Sequence, residues 1–240
     1  MARVTDVFVE GSVENIIFYR RMGKSCARIK RSHINQTEAT KKRGINFGVA
    51  ARACKGLRSG LLKVMPCPTD RSMQSRFAGS IAKWLGLSNP DELPSSDKVP
   101  YVSTFEFTTG GAFHGRFKPA VTVTRPENNL VTVSIEAFVP TFQISAPAGT
   151  VSITLIVSVA GCLLKNGDAT DSDTHRIEIP YNNVEIPAQT LQFHIPIPAQ
   201  SLTVTAARLI YNEIKNNQLY PIENERFMAA GIINARFDSY

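Results

Sequence analysis

One long segment of the chain, residues 36–66, combines helical periodicity with concentrated positive charge, and it constrains the fold more than any other stretch. At about 100° per residue, one arc of the helical wheel is apolar and a nearly opposite arc is basic, so one face requires a protein core. The apolar arc contains Phe47, Ala50, Cys54, Leu57, Leu61 and Val64. Thr37 is the predicted N-cap, because its hydroxyl can accept a hydrogen bond from a first-turn N–H, and Pro66 is the predicted end.

Four glycines lie beside the basic arc of this helix, at two GxxxG spacings: Gly44, Gly48, Gly56 and Gly60. Each glycine inside a helix costs roughly 1 kcal/mol relative to alanine, so we expect a compensating contact. A surface without side chains lets another backbone approach closely, whether from a second protein segment, a nucleic acid or the chain's own sheet. The four residues are therefore predicted to form a close-approach helix face.

A basic β-hairpin is predicted in front of the helix. Residues 13–20 and 24–31 alternate in the manner of two strands, with Met22 and Gly23 at a tight turn. Basic side chains are interleaved with Phe18 and Tyr19, a pattern typical of core strands and also of nucleic-acid platforms. Because an isolated hairpin is only marginally stable, this one needs the helix, the rest of the chain or another subunit against it.

A second helix is predicted after Pro66, with Thr69 or Asp70 as its cap and a left-handed Gly86 at its end. Its core-facing positions follow helical spacing: Met73, Phe77, Ile81 and Trp84. Residues 88–98 are rich in Pro, Ser and Asp, and they form the predicted boundary between domains 1–88 and 99–240.

The second domain is predicted to be all-β. Runs rich in Val, Ile, Thr and Phe are separated by Gly, Pro, Asn and Asp, at spacings that suit an antiparallel, immunoglobulin-like β-sandwich. The runs are residues 101–108, 120–124, 130–138, 150–160, 174–179, 190–195, 201–211 and 228–237. The predicted fold class is thus α+β, with a basic N-terminal hairpin and two helices followed by this sandwich.

Charge is distributed unevenly along the chain. Residues 1–83 contain 17 Lys and Arg against 5 Asp and Glu, whereas residues 84–240 contain 10 against 15. A basic end attracts polyanions, and it also favours head-to-tail contact between identical copies, because the acidic part of one copy complements the basic part of the next. A solvated basic face without a partner is the simpler interpretation of such a pattern.

The sequence contains no catalytic signature. Dinucleotide, phosphate-loop, zinc-protease and serine-hydrolase motifs are absent, and the four histidines are scattered. The acidic stretch 166–173 lacks the spacing of a calcium loop and is interpreted as a hairpin loop. We therefore expect no enzyme activity, no cofactor, no metal and no small-molecule substrate.

Compartment and redox state follow from what the sequence lacks. It shows neither a signal peptide nor a stretch of apolar residues long enough to span a membrane, which favours a cytoplasmic location and leaves export by a non-standard route open. The four cysteines have no CxxC spacing and are expected to be free thiols.

The N-terminal third resembles that of a group of uncharacterised bacterial proteins. In that group a basic hairpin of the form G-x-V-x-N-x-x-F-Y, with a later G-K, precedes a Thr-rich basic helix with an F-G-x-A core and a β-rich C-terminal half. The matching residues here are Gly11, Val13, Asn15, Phe18, Tyr19, Gly23, Lys24, Thr37, Thr40, Phe47, Gly48 and Ala50. The resemblance implies the same two-part architecture and no particular activity.

Two hypotheses of function follow. The first is a non-enzymatic structural subunit that self-associates head to tail, with the basic N-terminal module of one copy on the acidic sandwich of another. The alternative is a protein that binds DNA or RNA through the same basic module. The residues predicted to contact either partner are Arg20, Arg21, Lys24, Arg28, Lys30, Arg31, Lys41, Lys42, Arg43, Arg52 and Lys55.

Overall fold

The computed structural model of the protein describes residues 2–5, 8–21, 23–30, 36–65, 72–87, 98–127 and 129–239. Helices and antiparallel sheets together give an α+β fold, in agreement with the predicted class. The chain divides into two compact units, Met1–Lys41 and Lys42–Tyr240. This division differs from the boundary predicted at residues 88–98, because both predicted helices contribute apolar side chains to a core that they share with strands of the second unit.

The first unit contains a four-stranded antiparallel sheet. Its strands, in spatial order, are β1 (Ala2–Thr5), β2 (Phe8–Val13), β3 (Ile16–Arg21) and β4 (Lys24–Ile29). The predicted hairpin is confirmed at β3 and β4, where Arg21 pairs with Lys24 and Gly23 has the positive φ, +79°, of a tight turn. Strands β1 and β2 were not predicted. Val13 was predicted to begin the first strand of the hairpin, but it ends β2, because the chain reverses at Glu14.

Helix α1 (Glu38–Gly60) begins as predicted. The Thr37 hydroxyl oxygen accepts a hydrogen bond from the backbone N–H of Thr40 at 3.2 Å, which satisfies one of the unpaired donors of the first turn. The helix ends at Gly60, ahead of the predicted end at Pro66, which lies outside the described residues. Leu61 and Val64 are nevertheless buried, in the turn that follows.

Helix α2 (Met73–Leu85) buries the four positions that its periodicity indicates: Met73, Phe77, Ile81 and Trp84. It begins after Ser72, and the predicted caps Thr69 and Asp70 lie outside the described residues. The prediction of a left-handed Gly86 is wrong, since its φ is −69°. The N–H of Gly86 still donates to the Ala82 carbonyl at 3.0 Å, so the chain keeps a right-handed path there.

The second unit contains a three-stranded and a five-stranded antiparallel sheet. The strands are β5 (Val121–Glu127), β6 (Leu130–Ile135), β7 (Ser152–Leu163), β8 (Ala169–Pro180), β9 (Gln189–His194), β10 (Ser201–Lys215), β11 (Gln218–Pro221) and β12 (Ala230–Asp238). The orders are β5-β6-β9 and β11-β10-β7-β8, and β12 also pairs with β10. Single-turn helices α3 (Phe113–Arg116) and α4 (Pro140–Gln143) and a 3-10 turn (Glu225–Phe227) lie in the connections. The strands predicted after residue 119 are confirmed, and β11 was not predicted.

The strand predicted at residues 101–108 is wrong. This segment begins with turns, Tyr101 has a φ of +69°, and the extended part is limited to a single bridge between Glu106 and Gly231 on β12. Its aromatic side chains explain the error. Phe105 and Phe107 are buried beside Phe77 of α2, so their alternation reflects packing against a helix rather than a place in a sheet.

The five-stranded sheet forms the middle of three layers. On β7, Ile156, Ala160 and Cys162 belong to a core shared with α1 and α2. The alternate residues Ile153, Leu155, Val157 and Val159 belong to a second core, shared with the three-stranded sheet. The alternation of apolar and polar residues along β7 predicts that one face of this strand is buried. In the structure, helices α1 and α2 bury the other face as well.

The buried thiols provide a test of these layers. Burial away from water raises the pKa of Cys54, on α1, to about 11 and that of Cys162, on β7, to about 12. Because only the thiolate is alkylated, iodoacetamide at about pH 8 should modify the half-buried Cys26 readily and these two thiols only after addition of denaturant. Peptide mass spectrometry measures each site. Alkylation of Cys54 or Cys162 in the folded protein at the rate of Cys26 would contradict the layered core.

Candidate functional site

The sheet of the first unit has one basic face. Ile17 pairs with Arg28, Tyr19 with Cys26, and Arg21 with Lys24. Paired residues, and alternate residues along a strand, project from the same side of a sheet. We define the basic sheet face as the part of this side formed by β3 and β4, namely Ile17, Tyr19, Arg21, Lys24, Cys26 and Arg28; Glu10 of β2 lies on the same side, because Ser12 pairs with Ile17. The guanidinium of Arg28 lies 5.8 Å from the centre of the Tyr19 ring, within the range of a cation–π contact.

Not every predicted basic residue of this unit belongs to that face. Arg20 projects from the opposite side, because neighbouring residues of a strand alternate. Lys30 is exposed beyond the end of β4, where its backbone N–H donates to the Asn15 carbonyl at 2.6 Å. Arg31 lies outside the described residues. The structure therefore brings together Arg21, Lys24 and Arg28 from the predicted set.

The other side of the sheet, from which Arg20 projects, carries exposed apolar side chains. Val13 pairs with Ile16, which pairs with Ile29, and Val9 lies on the same side of β2. We define these four residues as the apolar sheet face; Ile29 alone is 76% exposed. The described side chains between residues 9 and 30 are all exposed or half-buried. The sequence showed apolar residues on both sides of the hairpin, but the strand register was needed to separate the two faces.

The beginning of α1 carries a second exposed surface. We define residues 42–48 as the exposed helix segment, in which Lys42, Arg43, Ile45 and Phe47 are exposed. Phe47 was predicted to be in the core together with Ala50 and Cys54. Those two residues are buried, but Phe47 is 53% exposed and Ile45 is 59% exposed. The helix enters the core only from Val49 onward, so the predicted apolar arc extends beyond the part of the helix that the core covers.

The basic side chains of α1 make few ion pairs within the chain. Lys41 contacts the Glu38 carboxylate one turn earlier at 2.8 Å. Lys42, Arg43, Arg52 and Lys55 are exposed and make no ion pair with another residue of the described ranges. An exposed pair such as that of Lys41 contributes at most about 1 kcal/mol. The positive charge of α1 is therefore available to an external anion.

The four helix glycines divide into two pairs. A β-carbon on Gly60 would lie 2.6 Å from the Ala160 Cβ and 2.9 Å from the Ser172 Cβ, and one on Gly56 would collide with the Gly167 carbonyl oxygen. At these two positions, the backbone that approaches closely belongs to β7, β8 and the turn between them. Gly44 has no described atom within 4 Å of such a carbon, and Gly48 has only the Arg52 side chain, at 3.8 Å.

Most of the exposed carboxylates among the described residues lie in the strands and loops of the second unit. They are those of Glu136, Asp168, Asp171, Glu178, Glu185, Glu223 and Glu225; Glu10, Glu14 and Glu38 are exposed as well, on β2, beside it and on α1. Asp168 lies in the turn between β7 and β8, so the hairpin loop predicted for residues 166–173 is confirmed as far as Asp168. Its remainder is wrong, because β8 begins at Ala169 and includes Asp171. These groups provide negative charge on the part of the chain that was predicted to be acidic.

The described residues contain no cluster of three or more His, Cys, Asp or Glu side chains that could hold a metal ion. The His114 ring contacts the Ile232 carbonyl at 3.0 Å, and the His175 ring packs edge-on against Phe193. Both histidines thus have structural contacts. Within the described helices, no apolar stretch reaches the length that crossing a bilayer requires.

No protein-family model and no curated protein matches the chain. Two crystal structures of a glycosyl hydrolase family 2 member from Bacteroides cellulosilyticus are similar to parts of it, with 11% and 12% sequence identity. The alignments cover 49% and 48% of this chain and 14% and 13% of the hydrolase chains, with TM-scores of 0.26 and 0.24. The chain therefore spans a small fraction of those proteins, and similarity at this level supports no conclusion about activity.

The glycine geometry yields a matched pair of variants. Gly60→Ala should lower the free energy of unfolding by about 1–3 kcal/mol, because the added methyl group forces α1 away from β7 and β8. Gly44→Ala adds the same methyl group where space is open, and it should leave the protein unchanged or up to about 1 kcal/mol more stable. Urea unfolding of both variants measures the difference. Equal effects would contradict the intramolecular role of Gly60.

Proposed function

We propose that the protein is a non-enzymatic structural subunit that self-associates head to tail into a ring, tube or filament. The basic sheet face and the exposed helix segment of one copy bind the acidic part of the next copy, residues 84–240, where 15 Asp and Glu outnumber 10 Lys and Arg. The single observation that carries this proposal is that both surfaces combine cations with exposed apolar or aromatic side chains, Ile45 and Phe47 on the exposed helix segment and Tyr19 on the basic sheet face. Surfaces of that composition mark protein interaction sites.

The apolar side chains provide the driving force in this proposal. Full burial of a Val, Ile or Phe side chain is worth roughly 1.5–3 kcal/mol. Ile45 and Phe47 on α1 would each gain part of that amount in this contact, whereas the apolar sheet face lies on the opposite side of its sheet from the basic sheet face and does not contribute to it. Association has a cost of at least several kcal/mol, so a contact that uses several of these residues is required.

The distribution of charge determines which surfaces of two copies meet in this proposal. The cations of the two proposed surfaces belong to β3, β4 and α1, whereas most of the exposed carboxylates among the described residues belong to strands and loops after residue 130. A contact between two equivalent basic surfaces would oppose like charges, so the favoured contact joins different surfaces of the two copies. Contacts between unlike surfaces repeat and generate rings or filaments. An immunoglobulin-like topology for the acidic part is also a proposal, which two antiparallel sheets over one core support.

Charge reversal tests the assembly. The triple variant Arg21→Glu, Lys24→Glu, Arg28→Glu should lose large particles in light scattering at about 0.1 M salt, because the basic sheet face becomes acidic. Lys118→Glu, Lys165→Glu, Arg176→Glu changes the net charge equally at exposed sites elsewhere and should retain the particles. Particles that persist in the first variant, or a wild-type protein that is monomeric at every concentration, would rule the proposal out.

Nucleic-acid binding is the second candidate, and the contact between Arg28 and Tyr19 favours it. A ring flanked by cations can stack on a base while the cations neutralise phosphates. Tyr19 is exposed on the same face as Arg21 and Lys24, so the three groups could act together.

Salt dependence tests this candidate. Binding of a labelled single-stranded oligonucleotide should weaken as salt rises, with a logarithmic slope of about −0.7 for each phosphate neutralised. The Arg21, Lys24 and Arg28 triple variant should reduce that slope by about 2, and Tyr19→Ala should weaken binding by about 5-fold or more at constant slope. Fluorescence anisotropy measures both. A flat salt response of the wild-type protein would eliminate nucleic-acid binding.

A further inference from the structure

We propose that the end of the β10–β11 hairpin receives the exposed helix segment of a second copy. This inference rests on the proposed head-to-tail assembly and names the surface of the acidic part that the next copy contacts. Asn212 pairs with Ser152, the first residue of β7, so beyond this point β11 is the one strand of the described residues that pairs with β10. We define residues 213–220 as the hairpin arm. Two strands alone are only marginally stable in water, so a covering partner would stabilise the arm.

One side of the hairpin arm is apolar and exposed. Ile214 pairs with Leu219, so both side chains project from the same side. They are 57% and 61% exposed. Apolar side chains stabilise a contact only when they are removed from water, and the described residues of the same chain leave this pair largely in water. The pair is therefore available to a second copy.

The apolar side of the hairpin arm belongs to the side of the sheet on which α1 lies. On β10, Leu202, Val204 and Ala206 are part of the core shared with the helices, and Ile210 packs against the same core. Because alternate residues of a strand project from one side, Ile214 continues this series past the end of β7. The arm thus extends the surface that α1 covers.

Helix α1 extends past the opposite end of the same sheet. A β-carbon on Gly167, in the turn between β7 and β8, would lie 2.6 Å from the Arg52 Cβ, whereas one on Gly60 would lie 2.6 Å from the Ala160 Cβ. The helix therefore runs from this turn back along β7, and residues 42–48 lie beyond the turn. Since β7 has 12 residues, at roughly 3.3 Å per residue its two ends are about 36 Å apart. The exposed helix segment and the hairpin arm of one chain cannot cover each other.

The sheet-facing side of α1 continues into the exposed helix segment. Arg43 and Phe47 are one turn apart, and they precede the buried residues Ala50 and Cys54 at helical spacing. When copies join end to end, Phe47 of one copy lies on the apolar side of the hairpin arm of the next. This contact repeats between two chains the packing of helix on sheet that each chain already contains.

The net charges of the two segments are opposite. Residues 42–48 contain two cations and no carboxylate. Residues 213–225, which include the arm and the chain after it, contain three carboxylates and one lysine. Opposite charges favour this pairing of unlike surfaces over a contact between two arms or two helix segments.

A matched pair of variants tests the hairpin arm. Leu219→Ser in the full-length protein should raise the concentration at which half of the protein is assembled by about 10-fold or more, because the apolar contact is weakened. Leu87→Ser is the control, since Leu87 is 63% exposed against 61% for Leu219 and lies outside the proposed surfaces. It should assemble as the wild-type protein does. Light scattering at about 0.1 M salt measures both.

Mixing two variants tests which surface occupies the arm. The helix-segment variant is Arg43→Glu with Phe47→Ser, and the arm variant is Ile214→Ser with Leu219→Ser. Each should be monomeric alone, because one of its two surfaces is lost. An equimolar mixture should form dimers and nothing larger, since the intact arm of one variant binds the intact helix segment of the other. Sedimentation velocity measures these species.

The outcomes separate this inference from the assembly on which it rests. A wild-type protein that is monomeric at every concentration would remove both. Wild-type particles that Leu219→Ser leaves unchanged would overturn only the assignment to the hairpin arm, because the next copy would then bind elsewhere on the acidic part. Particles formed by the helix-segment variant alone, or a mixture that stays monomeric, would likewise overturn the pairing of the arm with the exposed helix segment.

Discussion

The close approach of α1 to the five-stranded sheet is the contact on which the rest of the second unit depends. Gly56 and Gly60 leave no side chain between the helix backbone and β7, β8 and their connecting turn. The apolar side chains of the same helix, Ala53 and Leu57 among them, can then reach the core shared with α2. A helix held farther away by a single methyl group would leave a gap in a core whose stability depends on close packing.

This contact also explains the unusual burial of β7. With helices on one face and a second sheet on the other, β7 is buried on both sides, and its polar residues must find partners inside the protein. The Ser158 hydroxyl is within 2.9 Å of the Thr174 hydroxyl and 3.2 Å of the Asp173 carbonyl. At Ser158 the middle layer therefore combines continuous apolar packing with a polar group whose hydrogen bonds are satisfied.

Much of the local structure was predictable from the sequence, although not the right-handed conformation of Gly86, and long-range packing was not predictable. The cap at Thr37 and the turn at Gly23 were correct, because each depends on neighbouring residues and on one backbone conformation. The exposure of Phe47 could not be predicted, because periodicity shows which side of a helix is apolar but not where the underlying sheet ends. The contacts of Arg125 and Arg236 with Asp238 were missed for a related reason. Arg125 and Arg236 are far apart in sequence, and only the packing of two sheets brings them to one carboxylate.

The positions of the glycines also affect how successive subunits could be oriented in the proposed assembly. Gly56 and Gly60 are fixed against the sheet, whereas Gly44 and Gly48 lie in the exposed helix segment, where each lowers the local stability of the helix. Helices bend most readily at such positions. A joint at this point would let neighbouring subunits adopt a range of angles without disturbing either core, so one kind of contact could form structures of different curvature.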